Sequence, residues 1–363
     1  VTAWKFVLGP ASGGHDLELT AAGARIVTWR LVGSHEASCA INGRHAQAAS
    51  LVELATDLHV LRDGVILYRG RVGATSDALT DVAHVVTVPS VGYREILRRR
   101  LLYADSTLTW GSTDQSTIAW ALVQDTQGRT GGNLGINRGI GAVTGRLRDR
   151  TYEAGQAIGD LIDNLAEVID GFDWDIEPVS ASAQNFNLYY SSRGQQRDVV
   201  LDYGWAVVSG TRTVTPSTYA NVVRVSGAET TTAQTRQVAD LATRPEGRWD
   251  AQFGDPDITV QAHLNEQADT ELASGQNLVP AWTVKLKAGW WQGPSHVWIG
   301  DPVRLVVMSG RLTVDTSLRV FEIEAAIGKS GEESITMTLG APRPDFPRRQ
   351  RLLRRKLTDL ERR

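Results

Sequence analysis

Apolar residues alternate with polar ones over short stretches through the first hundred residues. Arg25–Leu31 sets Ile26, Thr28 and Arg30 on one side and Val27, Trp29 and Leu31 on the other, the period of a half-buried strand. Glu36–Ile41 repeats the pattern and runs into the turn Asn42-Gly43. Asp57–Arg62 and Val65–Val72 flank Asp63-Gly64, a pair suited to a two-residue hairpin turn. His84–Val88 reads as a strand that stops at Pro89. Short strands at roughly ten-residue spacing predict a sandwich or small barrel.

The period changes after Tyr93–Arg100. Ser116–Gln124 reads as a helix, followed by the glycine-rich loop Gly128–Gly135, which matches neither a dinucleotide fingerprint nor a P-loop. Glu153–Ile169 carries apolar residues at steps of three and four, with Gly171 as its stop, an amphipathic helix. Strands follow at Phe172–Val179, Asn185–Tyr190 and Asp198–Asp202. β patterning resumes at Val207–Val214 and Asn221–Ser226. A helix over Val260–Ser274, capped by Thr259, comes next. The last strands are Ala281–Lys287, Pro302–Met308, Arg311–Ile327 with a bend, and Glu333–Leu339. The resulting fold class is mainly β with an α+β insertion. Its parts are a first β domain over 1–105, the insertion over 106–202, a second β domain over 203–342 and a short helix over 343–363.

The 363 residues suit two or three domains, and 42% hydrophobic content suffices for a core. The lone Cys39 excludes a disulfide framework and a multi-cysteine zinc site. Neither a transmembrane run nor the build of a signal peptide is present in the given sequence. The net charge of −3 divides unevenly. Residues 343–363 hold nine Arg/Lys against three acids, a +6 segment, which leaves −9 for residues 1–342. An acidic body argues against a nucleic-acid-binding surface there. In the basic segment Phe346, Leu353, Leu357 and Leu360 fall on one stripe at spacings of seven, four and three. That stripe reads either as a seam extending an oligomer or as a face packed on its own domain.

Asp170–Glu177 (DGFDWDIE) matches the DGxDxDxE pattern of the glycosidases that include chitinases. On a strand Asp173, Asp175 and Glu177 share one face, and close carboxylates raise one another's proton affinity, which suits a terminal general acid. The preceding hairpins cannot supply the parallel crossovers of the barrel on which that motif sits. The competing reading is a half-buried strand with Phe172, Trp174 and Ile176 inward and the acids in water. Trp282, Trp290, Trp291 and Trp298 form an aromatic-rich group that serves either sugar stacking or packing. Seven dispersed histidines and no GxSxG elbow name no nucleophile, metal or cofactor site.

Four passages, in order, resemble the tail-tip hub proteins of long-tailed bacteriophages, the tail-associated family related to the myophage baseplate hub. They are the hairpin Asp57–Arg71, the helix-to-strand passage Leu161–Asp175, the strand Tyr219–Gly227 (YANVVRVSG) and the turn-strand Ile299–Leu305 (IGDPVRL). The resemblance implies a non-enzymatic homotrimer in the virion tail tip. Its two β-barrel tube domains per chain would make a pseudo-sixfold ring joining the sixfold tube to a threefold tip. It also implies a distal tail protein ring above, tape-measure protein in the lumen, transient DNA passage, and further tip or fibre proteins below. In that frame Phe346, Leu353, Leu357 and Leu360 become trimer contacts. Wall digestion and receptor binding are expected to belong to other tip proteins.

Overall fold

The structure is a computed structural model that describes residues 3–15, 17–20, 23–103, 108–167, 170–214, 216, 219–254, 261–277 and 280–340. The protein is mainly β, with one large, curled, mostly antiparallel sheet, three small sheets and few short helices. The large sheet contains 14 strands among the described residues. Its path begins at Val207–Thr213 and passes through Ala281–Leu286, Glu333–Gly340 and Leu312–Ile327. It continues through Gly23–Arg30, Glu36–Asn42, His84–Gly92, Val65–Val72, Thr56–Arg62 and Trp4–Pro10 to Leu17–Glu18. Ser76–Leu79 branches from His84–Gly92, while Pro302–Ser309 pairs with Leu312–Ile327 and carries Val200–Asp202 in parallel.

Alternation along these strands builds the core. In Glu36–Asn42, Ala37, Cys39 and Ile41 point inward; in Pro302–Ser309, Val303, Leu305 and Val307 do. Asp63 and Gly64 both take positive φ, 51° and 83°, as a two-residue hairpin turn matched to strand twist requires. Pro89 does not end its strand: His84–Gly92 runs through it. Its neighbour changes at that point, from Val65–Val72, which pairs Ser90–Gly92, to Ser76–Leu79, which pairs His84–Thr87. No ladder bond is asked of the missing N–H there, and the Pro89 carbonyl accepts from the Gly73 amide at 3.0 Å.

Four α-helices lie among the described residues: α1 (Tyr93–Arg98), α2 (Gln115–Gln127), α3 (Ile158–Ala166) and α4 (Gln261–Gly275). Asp114 caps α2 by accepting from the Ser116 amide at 2.9 Å. The apolar stripe beginning at Glu153 predicts a longer α3 than forms. Gly155 takes φ 84° and its amide donates to the Leu102 carbonyl at 2.7 Å, so a turn occupies the first four residues. At the far end Asp170, at φ 56°, makes the left-handed turn expected of Gly171. α1, α2 and α3 share a core of their own with the sheet Ile136–Arg138, Gln184–Tyr189 and Asp173–Pro178. Phe172, Trp174, Ile176 and Phe186 are buried in it.

The chain forms two compact units, the larger spanning residues 1–210 and 283–342. The smaller one runs from Thr211 to Trp282 among the described residues. There Val222–Ser226 lies between antiparallel Gln234–Gln237 and parallel Asp250–Gly254, and α4 packs Leu264 and Ala268 on Val223 and Val225. The expected helix cap Thr259 and the stripe Phe346, Leu353, Leu357 and Leu360 lie outside the described residues.

Candidate functional site

The three acids of the DGFDWDIE segment sit on the strand Asp173–Pro178 and face one side, as period two dictates. They do not stand in water. Asp175 is 3% exposed, and its Oδ2 accepts from His35 Nε2 at 2.8 Å and from Arg193 Nη1 at 2.5 Å. Arg193 reaches Glu177 with its other terminal nitrogen, and Arg319 reaches Asp173. Glu177 also accepts from Asn187 Nδ2 and the Tyr189 hydroxyl, both at 2.8 Å. Asp173 accepts the Arg193 backbone amide at 2.7 Å. His35 Nδ1 in turn accepts the Arg30 amide at 3.1 Å, so Nε2 carries the proton given to Asp175.

Burial alone would push the Asp175 carboxyl up, but His35 and Arg193 outweigh it and hold it well below the ordinary carboxylate range. Glu177, the residue that the glycosidase pattern makes its general acid, is itself held by Arg193, Asn187 and Tyr189. The arrangement ties strands together. It joins the turn after Gly23–Arg30, the Asp173–Pro178 sheet and Leu312–Ile327 through contacts that span 140 and 146 residues of sequence.

A second clamp joins α1 to α3. Arg94 and Arg98 donate to Asp163 at 2.5 and 2.6 Å, and Trp174 Nε1 donates to the same carboxylate at 3.0 Å. Burial raises the Asp163 pKa and the two arginines more than reverse it, to about 2. Arg94 also lies 4.1 Å from the Trp174 ring centroid, a cation–π contact.

The tryptophans divide in the same way. Trp291 is buried and stacks with Trp4 and Trp298 at 6.4 and 6.3 Å, while Trp29 and Trp298 approach to 5.0 Å. Arg62 covers Trp291 at 4.9 Å. Trp282 is buried, and half-buried Trp290 packs on His296 at 4.7 Å. The two fully buried indoles present no face to a ligand. The sequence names neither Trp4 and Trp29 nor His35, Arg193 and Arg319 as members of these groups. No local spacing marks any of them, because strand pairing across hundreds of residues brings them together.

That pairing also supplies the feature that organises the molecule. Arg25–Arg30 runs antiparallel to Glu322–Ile327, residue for residue. This seam fuses the N-terminal and C-terminal β regions into one sheet, with Arg30 paired to Glu322 across it and to Glu36 on the strand behind.

No protein-family model and no curated protein matches the sequence. Solved structures do match. A tail protein from Neisseria meningitidis MC58 superposes with TM-score 0.66 at 10% identity, over 93% of this chain and 97% of that one. The prophage MuSo2 43 kDa tail protein from Shewanella oneidensis gives 0.68 at 12%, over 93% and 98%. The prophage tail protein gp18 from Listeria monocytogenes gives 0.60 at 13%, over 98% and 99%. The chain has the fold of phage tail proteins. The likeness extends over 93–98% of the chain.

Proposed function

We propose that the chain is a structural hub of a phage tail tip, a virion component without catalysis. The observation that carries the reading is the whole-length tail-protein fold, with the seam Arg25–Arg30 to Glu322–Ile327 holding two β regions in one sheet. In this reading the two regions are barrel-like tube domains. Three copies place six such domains around a ring that joins the sixfold tube to a threefold tip, with a distal tail protein ring above and tip or fibre proteins below. The lumen holds the end of the tape-measure protein and later passes DNA. The −9 charge of residues 1–342 supports that role, because a negative wall repels phosphates and lets the duplex slide. Phe346, Leu353, Leu357 and Leu360 extend the trimer as a short helical seam. Among the described residues no helix is long and apolar enough to cross a membrane.

The test is localisation in particles carrying a tagged copy. Gold label confined to the tail tip is the expected result; label on the head or along the whole tube overturns the reading. Glu177→Gln separates structure from catalysis in the same particles. Unchanged infectivity is expected, since Glu177 serves as a partner of Arg193. Loss of a measurable sugar-cleaving activity would restore the glycosidase reading.

A further inference from the structure

Two free edges of the large sheet carry complementary surfaces. The terminal strand Val207–Thr213 pairs on one side with Ala281–Leu286 and has no partner strand on the other among the described residues. Beyond Val207 every residue of it is exposed. Trp205, in the turn leading into it, is 73% exposed, and Val208 is 58% exposed. Lys287 sits 5.5 Å from the Trp205 ring centroid, with Lys285 exposed on the neighbouring strand and Asp202 as the acid nearby in sequence. This edge is aromatic and basic.

The branch strand Ser76–Leu79 is exposed along its whole length and pairs only with His84–Thr87 among the described residues. A tight turn closes this hairpin, with the Thr80 amide donating to the Ala83 carbonyl at 2.8 Å. Leu79 and Val82 are 72% and 80% exposed, and Val85 also shows an exposed side chain. Asp77, Asp81 and Glu53 surround them; Asp77 pairs with His84 at 2.6 Å, Glu53 accepts from Thr75, and Arg44 is the exposed base nearby. This edge is aliphatic and acidic.

We infer that the Trp205 edge of one copy docks on the Leu79–Val82 hairpin of a second copy. The inference rests on the hub reading and names the surfaces that close its ring. Open strand edges with exposed large apolar side chains are covered in working proteins, and tryptophan is a favoured anchor at interfaces. Charge selects the occupant. Each edge meeting its own copy sets lysines against lysines or aspartates against aspartates, whereas the two unlike edges bring lysine to aspartate. Unlike edges on one chain make a head-to-tail contact, which closes into a ring when the rotation permits.

The test uses the full chain with Trp205→Cys and Leu79→Cys together, both singles as controls, and a short bis-maleimide. Cys39 does not compete, because burial pushes its thiol up to about 12. The expected result is a covalent ladder in the double variant that ends at three copies. A second measurement reverses charge. Lys285→Glu with Lys287→Glu weakens self-association about tenfold, the effect of reversing two exposed ion pairs. Adding Asp77→Lys and Asp81→Lys restores it. Rings that form without cross-linking and ignore charge reversal overturn the edge assignment and leave the hub reading standing. A chain that stays monomeric at high concentration, neither cross-linking nor forming rings, overturns both.

Discussion

His59 gives the molecule a pH dependence that can be worked from its surroundings. It lies on Thr56–Arg62, opposite Val7 on one neighbouring strand and Arg69 on the other. The side chain is fully buried, and neither ring nitrogen has a hydrogen-bond partner among the described residues. His15 meets its ring edge-on at 4.5 Å. Burial, followed by the charges of His15 and Arg69, lowers its pKa from 6.5 to about 3. The folded state thus binds fewer protons than the unfolded chain between those values, so stability is full above pH 6.5 and falls as pH drops toward 3. At pH 5 the unfolded chain gains about 2 kcal/mol from protonating this one histidine, against about 0.2 kcal/mol at pH 7. His59→Leu removes the linkage while keeping an apolar side chain in the core. Urea unfolding followed by tryptophan fluorescence at pH 7 and pH 5 reads the difference. The wild type should lose about 2 kcal/mol more than His59→Leu between the two conditions. Equal losses in both proteins would refute the argument, because the titration would then lie elsewhere.

Three further outcomes follow from the same geometry. Arg193→Ala leaves the buried Asp175 carboxylate with His35 but without its guanidinium partner and should cost about 3 kcal/mol, read as a lower urea midpoint; an unchanged midpoint would show the clamp to be idle. Gly64→Ala meets open space but forces a side chain into φ 83°. A loss of about 1 kcal/mol is expected, whereas a neutral result would mean the turn relaxes. Asp163 sits at about 2 through Arg94 and Arg98, so its contribution is full above pH 3.8 and is lost as pH falls toward 2. Asp163→Asn should flatten the acid limb of the unfolding curve in that window, and an unaltered limb would remove Asp163 as its source.

Much of the fold is legible because strand alternation is local. The hairpin at Asp63-Gly64, the inward set Ala37, Cys39 and Ile41, and the final strands from Ala281 onward can be read residue by residue. The first strand, Trp4–Pro10, is harder: four consecutive buried residues, Phe6 to Gly9, erase its alternation. Gln234–Gln237 and Asp250–Gly254 are polar and largely exposed, so they carry almost no apolar signal. Pro89 misleads for a different reason, since its harmlessness depends on where one neighbouring strand gives way to another. The acid strand is the clearest case of a motif without its chemistry. Period two correctly puts Asp173, Asp175 and Glu177 on one face. What that face meets is decided by His35, Arg193 and Arg319, whose positions only the tertiary pairing fixes.

The central claim is that three copies of this chain form a ring with a central channel. Electron microscopy of the purified chain, with class averages analysed for rotational symmetry, tests it most directly. The account predicts threefold rings showing six similar lobes around a hole. Rings of another symmetry, or threefold particles without a channel, would contradict it.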